Sequence, residues 1–284
     1  MLLANWKDYK LIDMHMGDKL ERWGDIIVSR PDPQIIWPSA SLSPLWKQCH
    51  MKYHRSKSGG GSWETLKKTP EKWEISWNEL RFFIKPTEFK HMGLFPEQAS
   101  NWERLQGLLK NQSKAKVLNL FGYTGGATVA CASAGAHVTH LDASKGMVQW
   151  AKENAALSKV PEDRLRFISE DAGKFVAREI RRESKYDGII MDPPSYGRGP
   201  QGELWKIEDM LYDLAKDCAS LLSSKPLFFL INSYTTGFSP VCAENILKSI
   251  LPGLGGKISS GEAGLPCSNG LALPCGSFAL WSQN

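Results

Sequence analysis

The chain has 284 residues, of which 42% are hydrophobic and 23% are charged, and its net charge is +5. These values are typical of a folded globular protein with room for one large α/β domain and a smaller one. No stretch reaches the roughly 18 apolar residues of a membrane helix, so we expect no membrane association. The first charged side chain, Lys7, occurs early in the N-terminal segment, so the sequence predicts no signal peptide.

The cysteines form no CxxC pair, and their spacings fit no zinc-ligand set, so the sequence predicts no metal site. We expect isolated, mostly buried thiols in a reducing cytoplasm. The six cysteines are Cys49, Cys131, Cys218, Cys242, Cys267 and Cys275.

Residues 1–90 are predicted to form a small β-rich domain, because short apolar runs such as DIIVSR, WEISW and LRFFIK alternate with Pro and Gly turns. This part carries fifteen basic and eleven acidic residues, and it has no acidic residue between Asp32 and Glu64. A basic surface of this kind attracts nucleic-acid backbones, although a solvated loop is the other interpretation. The basic residues of this stretch are Lys47, Lys52, Arg55 and Lys57, with His50 and His54 beside them.

Residues 91–284 are predicted to form a doubly wound, mostly parallel α/β sheet of seven strands, because strands and helices alternate. Ligands in such sheets bind beyond the carboxyl ends of the strands, so the loops there are the candidate site. The predicted strands are 116–121, 137–142, 165–171, 186–192 and 226–232, followed by two near the C-terminus, and the predicted helices are 144–157, 172–183, 204–222 and 241–250.

The first strand is followed by the loop GYTGG, whose glycines allow a sharp turn and close approach to a ligand. Asp142 ends the second strand and can accept hydrogen bonds from both hydroxyls of a ribose. The alternatives are a simple turn for the loop and a helix N-cap for Asp142. Together they indicate a cofactor that carries adenosine, but they do not separate a dinucleotide from S-adenosylmethionine.

The fourth strand ends in Asp192, Pro193 and Pro194, a rigid polar rim. Methyl transfer from a sulfonium is an in-line displacement that depends on positioning, and Asp192 could hold an acceptor N–H. The alternative is a loop that only stops the strand. Asp171, after the third strand, could accept from the adenine amine or cap a helix.

These residues resemble class I S-adenosylmethionine-dependent methyltransferases over residues 90–283. The segments that carry the resemblance are VLNLFGYTGG, HLDASKGMVQWAKEN, EDAGKFV, DPPSYGRG and KHMGLFPEQASNW. More narrowly, they are similar to the group of bacterial 23S rRNA cytosine-5 methyltransferases, and the N-terminal stretch resembles an uncharacterised branch of it.

The resemblance implies S-adenosylmethionine as cofactor and a ribosomal RNA base as substrate. It places the methionine part of the cofactor at Phe121, Gly122, Tyr123, Thr124 and Gly125, the ribose at Asp142 with Ala143, and the adenine at Asp171 with Ala172. It also implies that a segment with His91, Phe95 and Gln98 covers the cofactor, and that Asp192, Pro193 and Pro194 face the methyl acceptor. At the position on the first strand where the family has an acidic residue, this chain has Asn119.

One departure concerns the acceptor atom. Cytosine-5 transfer needs a thiolate that attacks carbon 6 of the base, and the resemblance places that cysteine just after the fifth strand, where this chain reads INSYT. Transfer to a nitrogen or an oxygen, which carry their own lone pairs, is therefore favoured over carbon 5, with nitrogen as the leading choice. A base could stack on Tyr196 or Tyr234, or these tyrosines could simply pack. A small-molecule or protein acceptor and a non-catalytic cofactor-binding module are the alternatives.

Overall fold

The computed structural model describes residues 1–56, 60–112, 114–199 and 202–283, and the predicted Lys57 lies outside them. These residues form two compact units: one comprises Met1–Leu2, Asn101–Ala263 and the chain from Cys275, and the other comprises Leu3–Ser100 and Gly264–Pro274. We call them the larger and the smaller unit. The proposed division into residues 1–90 and 91–284 stays a prediction. In the described residues, no helix is long and apolar enough to span a membrane.

The smaller unit is rich in strands, as the alternating apolar pattern predicts. The N-terminal strands are β1 (Leu2–Leu3), β2 (Tyr9–His15), β3 (Asp18–Trp23), β4 (Ile26–Pro31), β5 (Met51–Arg55), β6 (Gly61–Thr65), β7 (Trp73–Trp77) and β8 (Leu80–Ile84). In the described residues, β2 to β6 form one sheet in chain order, and β7 pairs with β8. Most pairs are antiparallel, but β4 and β5 are parallel.

A buried ion pair lies on this sheet. The Arg30 guanidinium donates to both carboxylate oxygens of Glu21, at 2.5 and 2.7 Å, and the Tyr9 hydroxyl donates to Glu21 at 2.7 Å. Burial alone would raise the pKa of Glu21, but the charges of Arg30 and Lys19 and these hydrogen bonds lower it to about 2. Glu21 is therefore ionised at neutral pH.

A late segment of the chain completes the smaller unit. β2 is the edge strand of the five-stranded sheet, and Leu11 in β2 forms a parallel bridge with Cys267. The Ser268 N–H donates to the Leu11 carbonyl at 3.1 Å. The segment Gly264–Pro274 thus covers an edge that would otherwise offer unpaired backbone groups.

The larger unit has the predicted doubly wound α/β architecture. Its strands are β9 (Lys116–Leu120), β10 (His137–Asp142), β11 (Leu165–Ser169), β12 (Gly188–Met191), β13 (Tyr196–Arg198), β14 (Leu204–Lys206), β15 (Phe228–Ser233), β16 (Lys257–Pro266) and β17 (Ala272–Ser282). The helices are α1 (Ala99–Leu109), α2 (Gly126–Ser133), α3 (Lys145–Leu157), α4 (Ala172–Arg181), α5 (Ile207–Ser220) and α6 (Pro240–Ile250).

The main sheet has the order β1-β16-β17-β15-β12-β9-β10-β11 within the described residues. The five neighbouring strands β11, β10, β9, β12 and β15 are parallel, and β17 is antiparallel to β15. The two-residue β1 adds an edge strand to the predicted seven. The central β12 is buried along its whole length, as expected for a parallel strand with helices on both faces.

Candidate active site

Three loops of the larger unit begin at neighbouring strand ends. Leu120, the last residue of β9, pairs with Leu141 in β10 and with Met191, the last residue of β12. All three strands are parallel, so the loops that follow them start at one edge of the sheet. The structure therefore brings together the loops that begin at Phe121, Asp142 and Asp192.

The loop from Phe121 to Gly125 is tightly wound between β9 and α2. Phe121 and Tyr123 have positive φ angles of 57° and 50°, which cost about 1 kcal/mol or more for residues other than glycine. A Cβ atom on Gly122 would lie 2.5 Å from the ring of His140. Glycine is therefore required at residue 122 because of the side chain beneath it.

Asp142 connects this loop to the end of β10. One carboxylate oxygen accepts the Tyr123 N–H and the other accepts the Ser144 N–H, both at 2.9 Å. Burial raises the pKa of the Asp142 carboxyl, and these two N–H groups partly offset the rise. Each carboxylate oxygen has a second lone pair, so Asp142 can still accept from two ligand hydroxyls. The alternative interpretation of Asp142 as a helix N-cap is wrong, because Ser144 caps α3.

A buried polar network lies below the loop. The Asn119 amide donates to the Thr128 hydroxyl at 2.8 Å, and that hydroxyl lies 2.9 Å from the Nδ1 atom of His140. Burial lowers the pKa of His140 to about 3, so the imidazole is neutral and Nδ1 can accept the hydroxyl proton. The amide nitrogen of Asn119 is thus engaged with α2, and its predicted contact with the cofactor stays a prediction.

The acceptor-side loop is held from two directions. The Asp192 N–H donates to the Leu120 carbonyl at 3.4 Å, which links this loop to β9. The Ser195 hydroxyl lies 2.7 Å from the Thr235 hydroxyl, which links it to the segment after β15. Asp192 and its prolines therefore stand beside the start of the glycine loop.

Trp205 connects the two loops, although it belongs to none of the predicted site motifs. Its indole N–H donates to the Pro194 carbonyl at 2.7 Å, and its ring centroid lies 5.0 Å from that of Phe121. Trp205 is 8% exposed and belongs to the main core. No local pattern marks Trp205, because β14 has only three residues and the run Leu-Trp-Lys does not alternate between apolar and polar residues.

Asp171 follows β11, which pairs with β10 on the far side from β9. Its side chain accepts the Lys174 N–H at 2.9 Å and caps α4. The capping role is therefore present. The predicted adenine contacts of Asp171 and Ala172, and the ribose-side role of Ala143, stay predictions.

The predicted covering segment belongs to the smaller unit. The rings of His91 and Phe95 lie 5.3 Å apart, and Gln98 is buried at the end of the 3-10 helix Pro96–Gln98. Burial, followed by the charges of Arg30 and Lys90, lowers the pKa of His91 to about 4. The imidazole is therefore neutral at physiological pH, and the segment brings no positive charge from this side chain.

Comparison with known families decides the class. The profile of the S-adenosylmethionine-dependent methyltransferase family matches residues 41–237. The chain belongs to this family. A solved S-adenosylmethionine-dependent methyltransferase from Agrobacterium tumefaciens is 36% identical to it, with a TM-score of 0.94, and the match covers 99% of this chain and 92% of that one. The prediction of a methyltransferase that uses S-adenosylmethionine is confirmed.

Curated relatives of this methyltransferase include two ribosomal RNA large subunit methyltransferases. The K/L protein of Alteromonas mediterranea is 29% identical over 88% of this chain and 39% of its own length. The K protein of Neisseria meningitidis serogroup B is 25% identical over 72% of this chain and 58% of its own length. The methyltransferase thus spans about two fifths of the first relative and under three fifths of the second.

The residues of the site fit the cofactor of the family. S-adenosylmethionine supplies an electrophilic methyl group on a sulfonium. The close contact with His140 accounts for glycine at residue 122, and the remaining lone pairs of Asp142 suit a ribose diol. These features agree with a role for the Phe121 to Gly125 loop and Asp142 in cofactor binding.

Proposed function

We propose that this methyltransferase transfers a methyl group from S-adenosylmethionine to a nitrogen atom of a ribosomal RNA base. The observation that carries the proposal is the Asp192–Pro194 loop, which supplies a carboxylate and contains no cysteine. The RNA substrate is supported by the names of the relatives and by exposed basic groups.

The chemistry of the acceptor loop favours nitrogen over carbon 5. Cys218, one of the cysteines nearest in sequence to these loops, is fully buried in α5, and burial raises the pKa of its thiol well above the usual range. Cys242 lies in α6 and is exposed. Neither is part of the loop after β12 or of the segment after β15, so these two segments supply no thiolate of their own to activate a pyrimidine ring. A nitrogen acceptor carries its own lone pair and needs no such attack.

Asp192 would orient the acceptor and take up its proton. When bound, S-adenosylmethionine would supply its methyl group to the lone pair of the acceptor nitrogen, and the sulfur would keep the electron pair of the broken carbon–sulfur bond. The nitrogen then loses a proton, which the Asp192 carboxylate can accept or pass to water. Pro193 and Pro194 fix the backbone of the carboxylate, and Trp205 fixes the carbonyl of Pro194. This part of the chain therefore positions the acceptor nitrogen and does not act as a nucleophile itself.

The basic residues of the smaller unit give weaker support for RNA binding. Lys47 and Arg55 are exposed. Lys52, however, lies 3.8 Å from Asp18, and His54 lies 2.6 Å from Glu64. The stretch without acidic residues in the sequence thus meets acidic side chains from other strands of the same sheet, and its net positive field is smaller than the sequence indicates.

The test is transfer of labelled methyl groups to an unmodified large-subunit rRNA transcript, followed by nuclease digestion and mass analysis of the nucleosides. We expect label on a base nitrogen. Asp192→Ala should abolish transfer but retain S-adenosylmethionine affinity in calorimetry. Asp213→Ala, which removes an exposed carboxylate of α5, is the matched control and should remain active.

Label on carbon 5 of a pyrimidine would contradict the choice of nitrogen. Activity on a protein or a small molecule without activity on the transcript would overturn the RNA substrate. Full turnover by Asp192→Ala would remove Asp192 from the acceptor side.

A further inference from the structure

The hairpin formed by β13 and β14 has two chemically different faces. In its antiparallel register Tyr196 pairs with Lys206, Gly197 with Trp205, and Arg198 with Leu204. Paired residues share a face and successive residues alternate between faces. Trp205 faces the core, so Tyr196, Arg198, Leu204 and Lys206 share the other face, which we call the outer hairpin face.

The outer hairpin face is exposed, aromatic and basic. Tyr196 is 55% exposed and Leu204 is 44% exposed, and Arg198 is exposed as well. Within the described residues no carboxylate pairs with Arg198. The side chain of Lys206 is 45% exposed, and Asp209, its acidic neighbour, is 3.9 Å away and itself exposed. A surface ion pair at this separation contributes little.

The acidic residue of the hairpin does not cancel this charge. Glu203, directly before β14, forms an ion pair with Lys174 of α4, and its carbonyl accepts the Gly199 N–H at 2.7 Å. The carboxylate is therefore neutralised by a helix outside the hairpin, and the two cations of the outer hairpin face keep their positive field.

The outer hairpin face adjoins the acceptor loop. β13 begins two residues after Pro194, and the Ile207 N–H, directly after β14, donates to the Ser195 carbonyl at 3.1 Å. Together with the Trp205 bond to Pro194, this contact ties both strands to the loop that carries Asp192. A polymer whose reacting nucleotide lies at Asp192 would pass over these side chains.

We infer that the outer hairpin face binds the RNA strand that flanks the methylated nucleotide, with Arg198 and Lys206 on phosphates and Tyr196 and Leu204 against a neighbouring base. This inference rests on the proposed function, since it needs RNA as the acceptor. Two cations beside an exposed aromatic ring are the combination that single-stranded nucleic acid requires, namely charge for the backbone and a stacking surface for a base. A small-molecule acceptor held at Asp192 would not extend over the exposed side chains of the outer hairpin face.

The test compares two double variants that remove one Arg and one Lys each. Arg198→Ala/Lys206→Ala alters the outer hairpin face, and Arg181→Ala/Lys216→Ala removes exposed cations of α4 and α5. Binding of a labelled 20-nucleotide single-stranded RNA and of the unmodified large-subunit rRNA transcript is measured over a series of salt concentrations. Calorimetry with S-adenosylmethionine checks the fold and the cofactor site of both variants.

For the hairpin variant we expect RNA affinity to fall about tenfold, and the slope of log affinity against log salt to become shallower by about 1.4, the value for two phosphate contacts on a single strand. The α4/α5 variant should keep the slope of the parent protein. Both variants should bind S-adenosylmethionine as the parent does.

Equal RNA affinity and equal slope in the two double variants, with a parent that binds and methylates the transcript, would overturn the role of the hairpin and leave the proposed function standing. A parent protein that neither binds nor methylates RNA would overturn the proposed function itself, and the inference with it.

Discussion

Replacing Asp142 by alanine tests the link between the glycine loop and cofactor binding. The substitution removes the acceptor of the Tyr123 and Ser144 N–H groups, each held at 2.9 Å, together with the lone pairs that remain for a ligand. Loss of a buried acceptor that leaves ribose hydroxyls unpaired costs about 1–3 kcal/mol of binding. Tyr123 has a φ angle of 50°, and release of that conformation should add about 1 kcal/mol.

The affinity for S-adenosylmethionine should therefore fall by about 2–4 kcal/mol, which corresponds to roughly thirtyfold to several hundredfold in Kd. Isothermal titration calorimetry measures the change directly and needs no acceptor. The measurement is thus independent of the identity of the substrate.

Asp187→Ala is the matched control. The Asp187 carboxylate also accepts a backbone N–H, that of Lys116 at 2.8 Å, and a hydroxyl, that of Ser223 at 2.7 Å. It lies just before β12, at the opposite end of the strand from Asp192. This variant should lose stability but keep the Kd of the parent protein. A parental Kd for Asp142→Ala, or equal weakening in both variants, would refute the reasoning.

Three other substitutions test contacts that stabilise the site loops of the larger unit and the sheet of the smaller unit. Trp205→Phe should lose about 1 kcal/mol of stability with its hydrogen bond to Pro194, and it should lower kcat for methyl transfer more than it weakens S-adenosylmethionine binding. Gly122→Ala should destabilise the chain by about 1–3 kcal/mol because its Cβ would lie 2.5 Å from His140, and it should weaken cofactor binding. Glu21→Gln should cost about 3 kcal/mol in denaturant unfolding, since it leaves a buried guanidinium without its counter-charge.

The Glu21 ion pair also predicts a pH dependence. The pKa of Glu21 is lowered from 4.5 to about 2 in the folded chain, so the folded state favours the ionised form. The stabilisation is complete above pH 4.5 and is lost as the pH falls through about 2. Acid unfolding of the Glu21→Gln variant should lack this component, and an unchanged acid transition would contradict the assignment.

Gly107→Ala is the control for Gly122→Ala. Gly107 lies in α1, and a Cβ atom there would meet no atom within 4 Å, so this change should stabilise the helix slightly.

Trp205→Leu should reduce methyl transfer at least as much as Trp205→Phe. If Trp205→Phe lowers the affinity for S-adenosylmethionine by the same factor as it lowers kcat, the indole acts only through its contact with Phe121.

The core of the α/β fold was predictable because its elements carry local signals. The run 137–142 corresponds to β10 residue for residue, and the helix predicted over 144–157 begins one residue later, at Lys145. Apolar strands of five or six residues, followed by Ser or Asp caps, are strong patterns. The glycine loop and Asp142 could be placed for the same reason, because parallel strands put their loops at one edge.

Features that depend on distant contacts were not predictable. β13 and β14 have three residues each, too few for a periodic signal, and the sequence instead predicts a helix from residue 204. Trp205 has its role only because Pro194 and Phe121 lie beside it in the folded chain. The assignment of Asp142 as an N-cap fails because Asp and Ser are both good caps and sequence does not rank two of them so close together.

The discontinuity of the smaller unit has a consequence for biosynthesis. Leu11 finds its hydrogen-bond partner Ser268 only 257 positions later in the chain. A nascent polypeptide on the ribosome must therefore wait, with the edge of β2 uncovered, until nearly all of the described sequence has been translated. An expressed fragment ending at Ser100 would retain that open edge permanently, and we expect it to self-associate through β2.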